Sequence, residues 1–495
     1  MVYRLLLLSL CINLHCQNVD DAVSLIFEND NGNARFSSMS GAFGSVGGNL
    51  SAISINPASS SVFELSRMGF SLTSDSRDVE SSFANSTNTV SSNYINFHGG
   101  IIYVFKNYGN GKFRKFSFGI NTQNTNDYNF DQQINSRSDR SVDQFFVNNS
   151  IGFNVNDVSV GTNETVNGVY RWLGQNYGYS SQQAFLGFQS YLLDYDNESN
   201  SFYSIAKYVN GVDINNFYYS SGSKNKSSIN LSAQYGENFY FGINFNIYDL
   251  NNKKSFRHLE NNFDSDSAIT LIDFRNELLT RGKGFSVQLG MIYKLKTFRF
   301  GLTYNSPTSF NVEEELMQSL ETNSVDLDGN NYVDIIDPDI TNIYEYDFVS
   351  PSKIKFGVSN IFANMFIISI DVESNNYRNG NFKSDYSNSY DVLNRTLNQN
   401  LKQTLDYSIG TELRLNKLSL RAGIKRIESP YKASSDYLNS KSMGLGYDFG
   451  SSTLDLGLQI IDKNYDYQFF DTGFTSMAQI KNHNFRTTLT YNIIF

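Results

Sequence analysis

The sequence predicts an all-β fold: a fourteen-stranded antiparallel transmembrane β-barrel of the outer-membrane type, with a small N-terminal plug inside its lumen. Three observations carry this. From residue 66 onward apolar and polar residues alternate over long segments, as at Phe285, Val287, Leu289, Met291, Tyr293 and Leu295, opposed by Ser286, Gln288, Gly290 and Lys294. A period of two puts such sets on opposite faces of a strand. Short turns alternate with long polar stretches, the pattern of barrels with short periplasmic turns and longer outer loops. The chain also ends flush with an alternating strand on an aromatic residue, Phe495.

Residues 1–16 read as a secretory signal, with Arg4 as the positive n-region, residues 5–14 as the apolar core, and a cut near Cys16 and Gln17. A lipoprotein signal fits less well, because Leu10 and His15 stand where a small residue should precede the cysteine. Both cysteines, Cys11 and Cys16, leave with the signal, so the mature chain has neither disulfides nor thiol chemistry. The formal charge of -10 becomes -11 without Arg4. Phosphate binding needs a basic face, so no nucleic acid is expected as a partner.

Beyond the signal no run approaches the roughly 18 apolar residues of a transmembrane helix. There are only 5 Pro and no hinge-like stretch after residue 61, which favours one closed structure across the 495 residues. The aromatic content, 40 Phe and 32 Tyr against a single Trp, suits pleated surfaces.

Residues 17–65 are read as the plug and residues 66–495 as the barrel. In the plug, residues 31–60 contain nine Gly or Ala among thirty and a single charge, Arg35. Small residues at this density let backbone approach backbone closely.

Short turns fall near residues 107–112, 236–238, 295–297, 362–364, 416–417 and 450–452. Six turns join twelve strands, and one strand before them (about residues 67–73) and one after (479–495) make fourteen. Most arms supply the roughly 9–11 residues needed to cross hydrocarbon. In the last strand Phe485, Thr487, Leu489, Tyr491, Ile493 and Phe495 alternate. Its end, Tyr491, Ile493 and Phe495, reads as the signal by which the β-barrel assembly machinery recognises its substrates.

The spacing of Gly32, Ala34, Arg35, Met39, Gly41, Ala42 and Phe43, then residues 50–53 and Asn56-Pro57-Ala58, resembles the N-terminal hatch of the FadL/TodX outer-membrane transporter family. Ser40, Asn49 and Ser59 stand where Gly, Asp and Gly are more usual. Residues 419–432, SLRAGIKRIESPYK, and 443–450, MGLGYDFG, are similar to late strands of the Bacteroidetes-type branch. The resemblance implies passive uptake of a hydrophobic small molecule, a long-chain fatty acid or an aromatic compound, by a monomer in the outer membrane of a Gram-negative bacterium. Lipid and lipopolysaccharide would surround it. It also implies a route from an apolar groove on the outer loops, through a pocket in the barrel, and sideways past a kinked third strand, expected near residues 119–123. Arg35, Gly41, Asn56, Pro57 and Ala58 are then hatch or gating residues, with Pro57 fixing the backbone of the element that shifts.

Two outer-loop stretches could carry chemistry. In the second outer loop, residues 136–204, Ser180 and Ser181 can cap a helix that carries Phe185, Phe188 and Leu192 on one stripe. Trp172 and Leu173 fall on a second short helix upstream. These five residues either form a capture groove or hold the loop together. Residues 326–337, DLDGNNYVDIID, place Asp326, Asp328, Asn330, Asp334 and Asp337 at positions 1, 3, 5, 9 and 12, with the Tyr332 carbonyl at position 7. That is the spacing of oxygen ligands around calcium, although Asn331 replaces the usual Gly and Asp337 is shorter than Glu.

No cofactor is required, and calcium in that loop is the one metal candidate. His98, His258 and His483 have no Ser or Asp at a recognisable motif spacing, so no enzyme activity is expected. Asp371 and Glu373 read as inward carboxylates that solvate the lumen. The rival functions are a surface adhesin or structural barrel and a general porin for polar solutes, and a closed hatch argues against the latter.

Overall fold

The computed structural model describes residues 17–29, 31–109, 111–383, 390–434 and 436–495, so the signal read at residues 1–16 lies outside the described residues. Fourteen antiparallel strands form one sheet that closes on itself. They are β1 (Arg67–Phe83), β2 (Ser86–Lys106), β3 (Phe113–Asp127 continued by Phe130–Ser138), β4 (Val212–Tyr235), β5 (Phe239–Asn261) and β6 (Ile269–Leu295). Then follow β7 (Phe298–Asn305 continued by Ser309–Val325), β8 (Asn342–Val349 continued by Lys353–Phe362), β9 (Phe366–Asn376) and β10 (Gln403–Leu415). The last four are β11 (Leu418–Glu428), β12 (Tyr437–Asp448), β13 (Ser452–Gln468) and β14 (Met477–Ile494). Pairing of β14 with β1, from Arg67 and Ile494 to Ser82 and Gln479, closes the ring.

The alternation in the sequence becomes two environments. Outward residues such as Phe241, Leu289, Met291, Leu302 and Phe356 are exposed, whereas Asn244, Asn246, Ser286 and Gln288 turn inward and are buried. Apolar-out and polar-in is the arrangement that suits lipid around a filled lumen. Phe105, Phe113, Tyr235, Tyr293, Phe298, Phe362, Tyr447 and Phe495 gather an exposed aromatic rim near the short turns. No helix among the described residues is long and apolar enough to cross a membrane.

Six short turns join β2 to β3, β4 to β5, β6 to β7, β8 to β9, β10 to β11 and β12 to β13, at the expected positions. Gly236, Lys296, Ala363, Asn364, Asn416 and Gly450 take positive φ in the last five of these turns. The opposite end differs from expectation. The polar stretch after Thr73 is not a loop: β1 runs to Phe83 and β2 begins at Ser86. Its inward and outward residues still alternate, so the ladder continues beyond the apolar belt. Proline breaks two neighbouring strands instead. Pro307 and Pro351 interrupt β7 and β8 side by side, where the missing N–H would have entered the ladder.

Residues 17–66 precede β1 and fold inside the barrel as α1 (Val19–Ile26), α2 (Ala34–Ser38) and two 3-10 turns, Ser51–Ser54 and Pro57–Val62. Above them, the connection between β3 and β4 carries α3 (Asp143–Asn149), α4 (Val166–Asn176) and α5 (Tyr179–Gln189), and α6 (Asp391–Asn400) lies between β9 and β10.

Tyr491, Ile493 and Phe495 lie on the outward face of the closing strand. The Phe495 N–H donates to Ser66 O at 3.0 Å, and its ring meets Tyr103 of β2 edge-on at 5.9 Å. A closed ladder leaves little backbone for detergent to attack. The folded protein is therefore expected to run faster than the boiled chain on a detergent gel. Deletion of Phe495 should reduce that fast band in membrane fractions, and an undiminished band would refute its part in assembly.

Candidate functional site

The N-terminal segment is fastened by polar groups of the wall. Asn244 Nδ2 donates to Ile53 O at 2.8 Å, and Gln288 Nε2 to Ser54 O and Ile55 O, each at 3.1 Å. Ala34 N donates to Thr490 Oγ1 at 2.7 Å, and Gly44 N to Asp371 Oδ2 at 2.7 Å. Asp371, expected to solvate the lumen, is thus spent on hatch backbone, and Glu373 pairs with Lys355 at 2.8 Å.

Arg35 forms two bonds to Glu412, from Nε at 2.6 Å and Nη2 at 3.1 Å, and a third from Nη1 to Gly48 O at 3.0 Å. Glu412 also meets Arg414 and Arg421, and Arg421 reaches Asp455, so one charged chain links the hatch to β10, β11 and β13. Burial alone would lower the Arg35 guanidinium, but the Glu412 charge outweighs it and holds it above its usual value.

Asn56 is fully buried. Its Oδ1 caps Ala58 N at 3.0 Å while Nδ2 reaches Gly44 O at 2.7 Å and Met291 O at 3.1 Å. Pro57 opens the second 3-10 turn, and Ala58 packs with Tyr240 and Ile292. Gly41 and Ser40 both take positive φ, and Ser40 Oγ lies 2.7 Å from Ser442 Oγ. Ser40 therefore occupies the kind of backbone position that Gly fills most easily.

Close approach also needs room in the wall, and glycines supply it. Four directly paired couples face the hatch: Gly242 with Gly290, Gly301 with Gly357, Gly410 with Gly423, and Gly444 with Gly457. A Cβ on Gly242 would lie 2.6 Å from Pro57 C, one on Gly410 2.7 Å from Met39 O, and one on Gly457 2.8 Å from Ala34 O. One on Gly301 would strike Gly44 O.

The wall is incomplete beside β3. Pairing of β2 with β3 runs only from Gly99 and Thr122 to Lys106 and Lys115, although both strands continue. The register of β3 on β4 shifts between Asn124 and Asn126, a bulge that bends the strand away. Pairing with β2 ends at Thr122, inside the expected 119–123, and the bulge follows at Asn124 to Asn126.

Past the break, among the described residues, side chains span the seam. Tyr94 OH donates to Asp131 at 2.9 Å, Asn96 Nδ2 to Asp127 at 3.0 Å, and Arg77 of β1 pairs with Asp127 at 3.1 Å. The hatch takes the vacant edge of β3: Asn29 N donates to Thr125 O at 2.7 Å and Asn31 N to Asn124 O at 2.9 Å, while Asn31 Nδ2 reaches Asn124 Oδ1 at 2.8 Å. Ile95 and Phe97, 65% and 79% exposed, stand on the outer side of this seam.

Above the hatch, α1 fills an aromatic pocket. Asn18 and Asp21 form a capping box at its start, and Ala22, Leu25 and Ile26 bury against Tyr128, Tyr248, Leu250, Phe310, Tyr346, Phe348 and Phe382. Lys224 Nζ binds Ser24 O, Leu25 O and Phe27 O, and Lys353 Nζ binds Ile26 O, so cations meet the carbonyl end of the helix. Glu28 follows, 3.4 Å from Lys353 and 3.6 Å from Lys226. Burial alone would raise its carboxyl, but Lys353, Lys226 and Lys224 hold it well below the usual carboxylate range. The remaining cavity beside α1 is about 10 Å³.

The outer-loop lid has its own apolar core. Leu173, Phe185 and Leu192 are fully buried in it, and Phe188 packs at its edge against Phe202. Trp172 stays half exposed beside Tyr177. Helix α5 starts at Tyr179, ahead of the serines expected to cap it, and Ser181 Oγ instead bonds Leu173 O and Gly178 O. Leu192 lies beyond the last turn. Asp143 of α3 accepts Tyr208 OH at 3.0 Å. Burial, reinforced by the Glu260 charge and opposed by hydrogen bonds from Ser204 and Tyr208, pushes its carboxyl up to about 6.

In the acidic loop, Asp326 accepts Asp328 N, Asn330 N, Asn330 Nδ2 and Tyr332 OH. Asp334 sits on the returning strand Asn331–Ile336, and Asp337 follows it. Among the described residues no group of three or more His, Cys, Asp or Glu gathers as a metal cluster. Both nitrogens of His258 are occupied, by Asn216 at 3.1 Å and Glu260 at 2.9 Å, so no hydroxyl nucleophile sits on this imidazole. His483 pairs with Asp462 on the exposed face.

Two expected outcomes test this geometry. Gly301→Val should push the hatch off the wall and raise ion conductance severalfold while the barrel itself persists. Unchanged single-channel conductance would refute the fit. For Asp143 the folded value of about 6 exceeds the ordinary 3.8, so the native lid holds a proton that the opened lid releases. Its contribution is therefore greatest at low pH and is lost as pH rises from about 4 through about 6. Corrected hydrogen exchange in α3 should be slower at pH 5 than at pH 7.5, and Asp143→Asn should remove that difference.

No protein-family model matches the chain, and no curated protein matches its sequence. Solved structures do. The P. putida toluene transporter TodX aligns at 14% identity with a TM-score of 0.50, covering 94% of this chain and 99% of that one. A Pseudomonas aeruginosa FadL homologue aligns at 10% identity with a TM-score of 0.52, again covering 94% and 99%. At these identities the likeness is one of fold. In fold the chain is therefore FadL/TodX-like: a closed fourteen-stranded barrel around its own N-terminal segment.

Proposed function

We propose that the protein is a monomeric outer-membrane channel for passive uptake of a hydrophobic small molecule in a Gram-negative bacterium. The molecule enters beneath the outer-loop lid, replaces α1 against the aromatic wall, and leaves sideways through the seam between β2 and β3. The observation that carries this reading is the missing ladder above Gly99 and Thr122, with Asn29 and Asn31 of the hatch on the vacant edge of β3. Backbone left unpaired in lipid is costly, so a seam closed by removable partners is where the wall yields at least expense.

Ile95 and Phe97 give the seam an apolar outer lip. A neighbour in fold is called a toluene transporter and another a FadL homologue, which supports a hydrophobic cargo. The filled lumen disfavours a general porin, since a polar solute finds no continuous water path past α1 and the hatch.

The chain has no cysteine after Cys16, so a new pair is unique in the mature protein. Asn31→Cys with Asn124→Cys joins two side chains that already meet at 2.8 Å. The oxidised protein should bring uptake of labelled toluene and oleate down to that of empty vesicles, and reduction should restore it. Equal uptake by the oxidised and reduced forms would reject the seam as the exit. No uptake by the parent protein would favour the adhesin or structural reading.

A further inference from the structure

The short-turn mouth of the barrel gathers more positive charge than it answers, in a chain whose formal charge is -10. Arg67 opens β1, Arg299 stands beside the turn between β6 and β7, and Arg414 beside the turn between β10 and β11. Each lies two residues from a wall position that meets the hatch. These are Gly69, where a Cβ would lie 2.8 Å from Leu50, Gly301, where one would strike Gly44 O, and Glu412, which binds Arg35. A period of two therefore turns all three guanidiniums inward, beneath the hatch. Arg35 of the hatch and Arg421 of β11 complete the group. Arg35 and Arg414 lie close enough for their charges to act on both Arg67 and Arg299.

The carboxylates here are already spent. Glu412 Oε1 accepts Arg35 Nη2 at 3.1 Å and Arg414 Nε at 2.6 Å, and its Oε2 accepts Arg35 Nε at 2.6 Å and Arg421 Nε at 2.7 Å. Asp455 accepts Arg421 Nη1 at 2.7 Å, and the exposed Asp448, whose charge also reaches Arg67, accepts Gly450 N. Five guanidiniums thus face three carboxylates. Among the described residues Arg67 has no hydrogen bond or ion pair, and its guanidinium lies 5.4 Å from the centroid of the Phe63 ring. Arg414 bonds through Nε alone, and Arg299 through Nη1 to Val46 O. These three remain reachable: the Arg414 side chain is 41% exposed, and Arg67 and Arg299 are half-buried. Gathered like charges repel, and a counter-anion between them offsets that cost.

We propose that this mouth binds a phosphate-type dianion, as free phosphate or as a phosphomonoester head, between Arg67 and Arg414. Planar guanidiniums donate in pairs to phosphate oxygens, and the two uncompensated positive charges match a dianion. Phe63 orients the Arg67 fork, while Arg35 and Arg299 add to the field. A monocarboxylate brings one charge and two oxygens, and is the weaker ligand. Once bound, the anion draws Arg35, and with it the hatch, toward β1 and β10. Anion binding is measured without transport, so it stands or falls apart from the channel reading.

Inorganic phosphate and acetate are titrated calorimetrically, at pH 8 and constant ionic strength, into the intact barrel in phosphatidylcholine nanodiscs. Phosphate should bind at least about tenfold tighter than acetate. Arg67→Gln with Arg414→Gln should bring phosphate down to the level of acetate. Arg114→Gln should leave it unchanged, because Arg114 sits on an exposed turn at the same end and meets Glu237 at 3.5 Å. Should the double variant fail to fold, Arg67→Gln alone, which breaks no hydrogen bond of the free protein, should still weaken phosphate at least about threefold.

Phosphate no tighter than acetate, phosphate affinity that survives these substitutions, or an equal loss in Arg114→Gln each overturns the proposal. Nanodiscs containing phosphatidic acid separate the two sources of the dianion. Unchanged phosphate affinity in them supports the free anion, and an affinity lowered by competition supports the lipid head.

Discussion

An irregular segment can live inside a barrel only if the wall answers its backbone. Residues 31–60 cannot do this themselves: their 3-10 turns and left-handed residues leave N–H and C=O groups that neither helix nor ladder consumes. Each such group, if buried without a partner, costs about 1–3 kcal/mol. Around this segment the inward face of the strands accordingly presents amides, hydroxyls and a carboxylate. Asn230 and Asn244 reach Pro57 O and Ile53 O, Ser442 reaches Ser38 O, and Asp371 takes Gly44 N. The apolar belt outside and the amide lining inside are two results of the same period-two pattern, and the inner one answers the N-terminal segment.

The hatch is not held uniformly. Around Asn56 it presses on paired wall glycines and is bonded on several sides, and Arg35 adds a buried charge network. At Asn29 and Asn31 it instead completes an edge that β2 has abandoned. Helix α1 lies beyond that point and owes its place to apolar packing and to lysines on its last carbonyls. A ligand that offers apolar surface to the same wall competes with the packing but leaves the Asn56 anchor untouched.

Much of this was legible in the residues. Phe285 to Leu295 announces a strand with an apolar outer face, and Asn416 with Lys417 announces a turn, because both depend on local pattern. Strand number followed from the six turns. The glycine couples were not legible. Gly242, Gly301 and Gly410 are unremarkable singly and acquire meaning only when the register sets them beside Gly290, Gly357 and Gly423. The end of β3 pairing falls within the expected stretch, but the hatch contact just beyond it was not legible, because nothing local tells Gly119, which pairs with β2, from Asn124, which pairs with the hatch.

The two ends of the chain also meet. Ala34 of the hatch bonds Thr490, and Asn31 meets Arg486, both on the strand that closes the ring against β1. The plug precedes the strands in the chain, and the β14 residues that clamp it follow all the other strands. A finished ring would have to admit a segment already fastened on many sides, whereas an open sheet can curl round it. The interior is therefore best viewed as a mould: the segment that precedes the strands is the object around which the closing strand shuts.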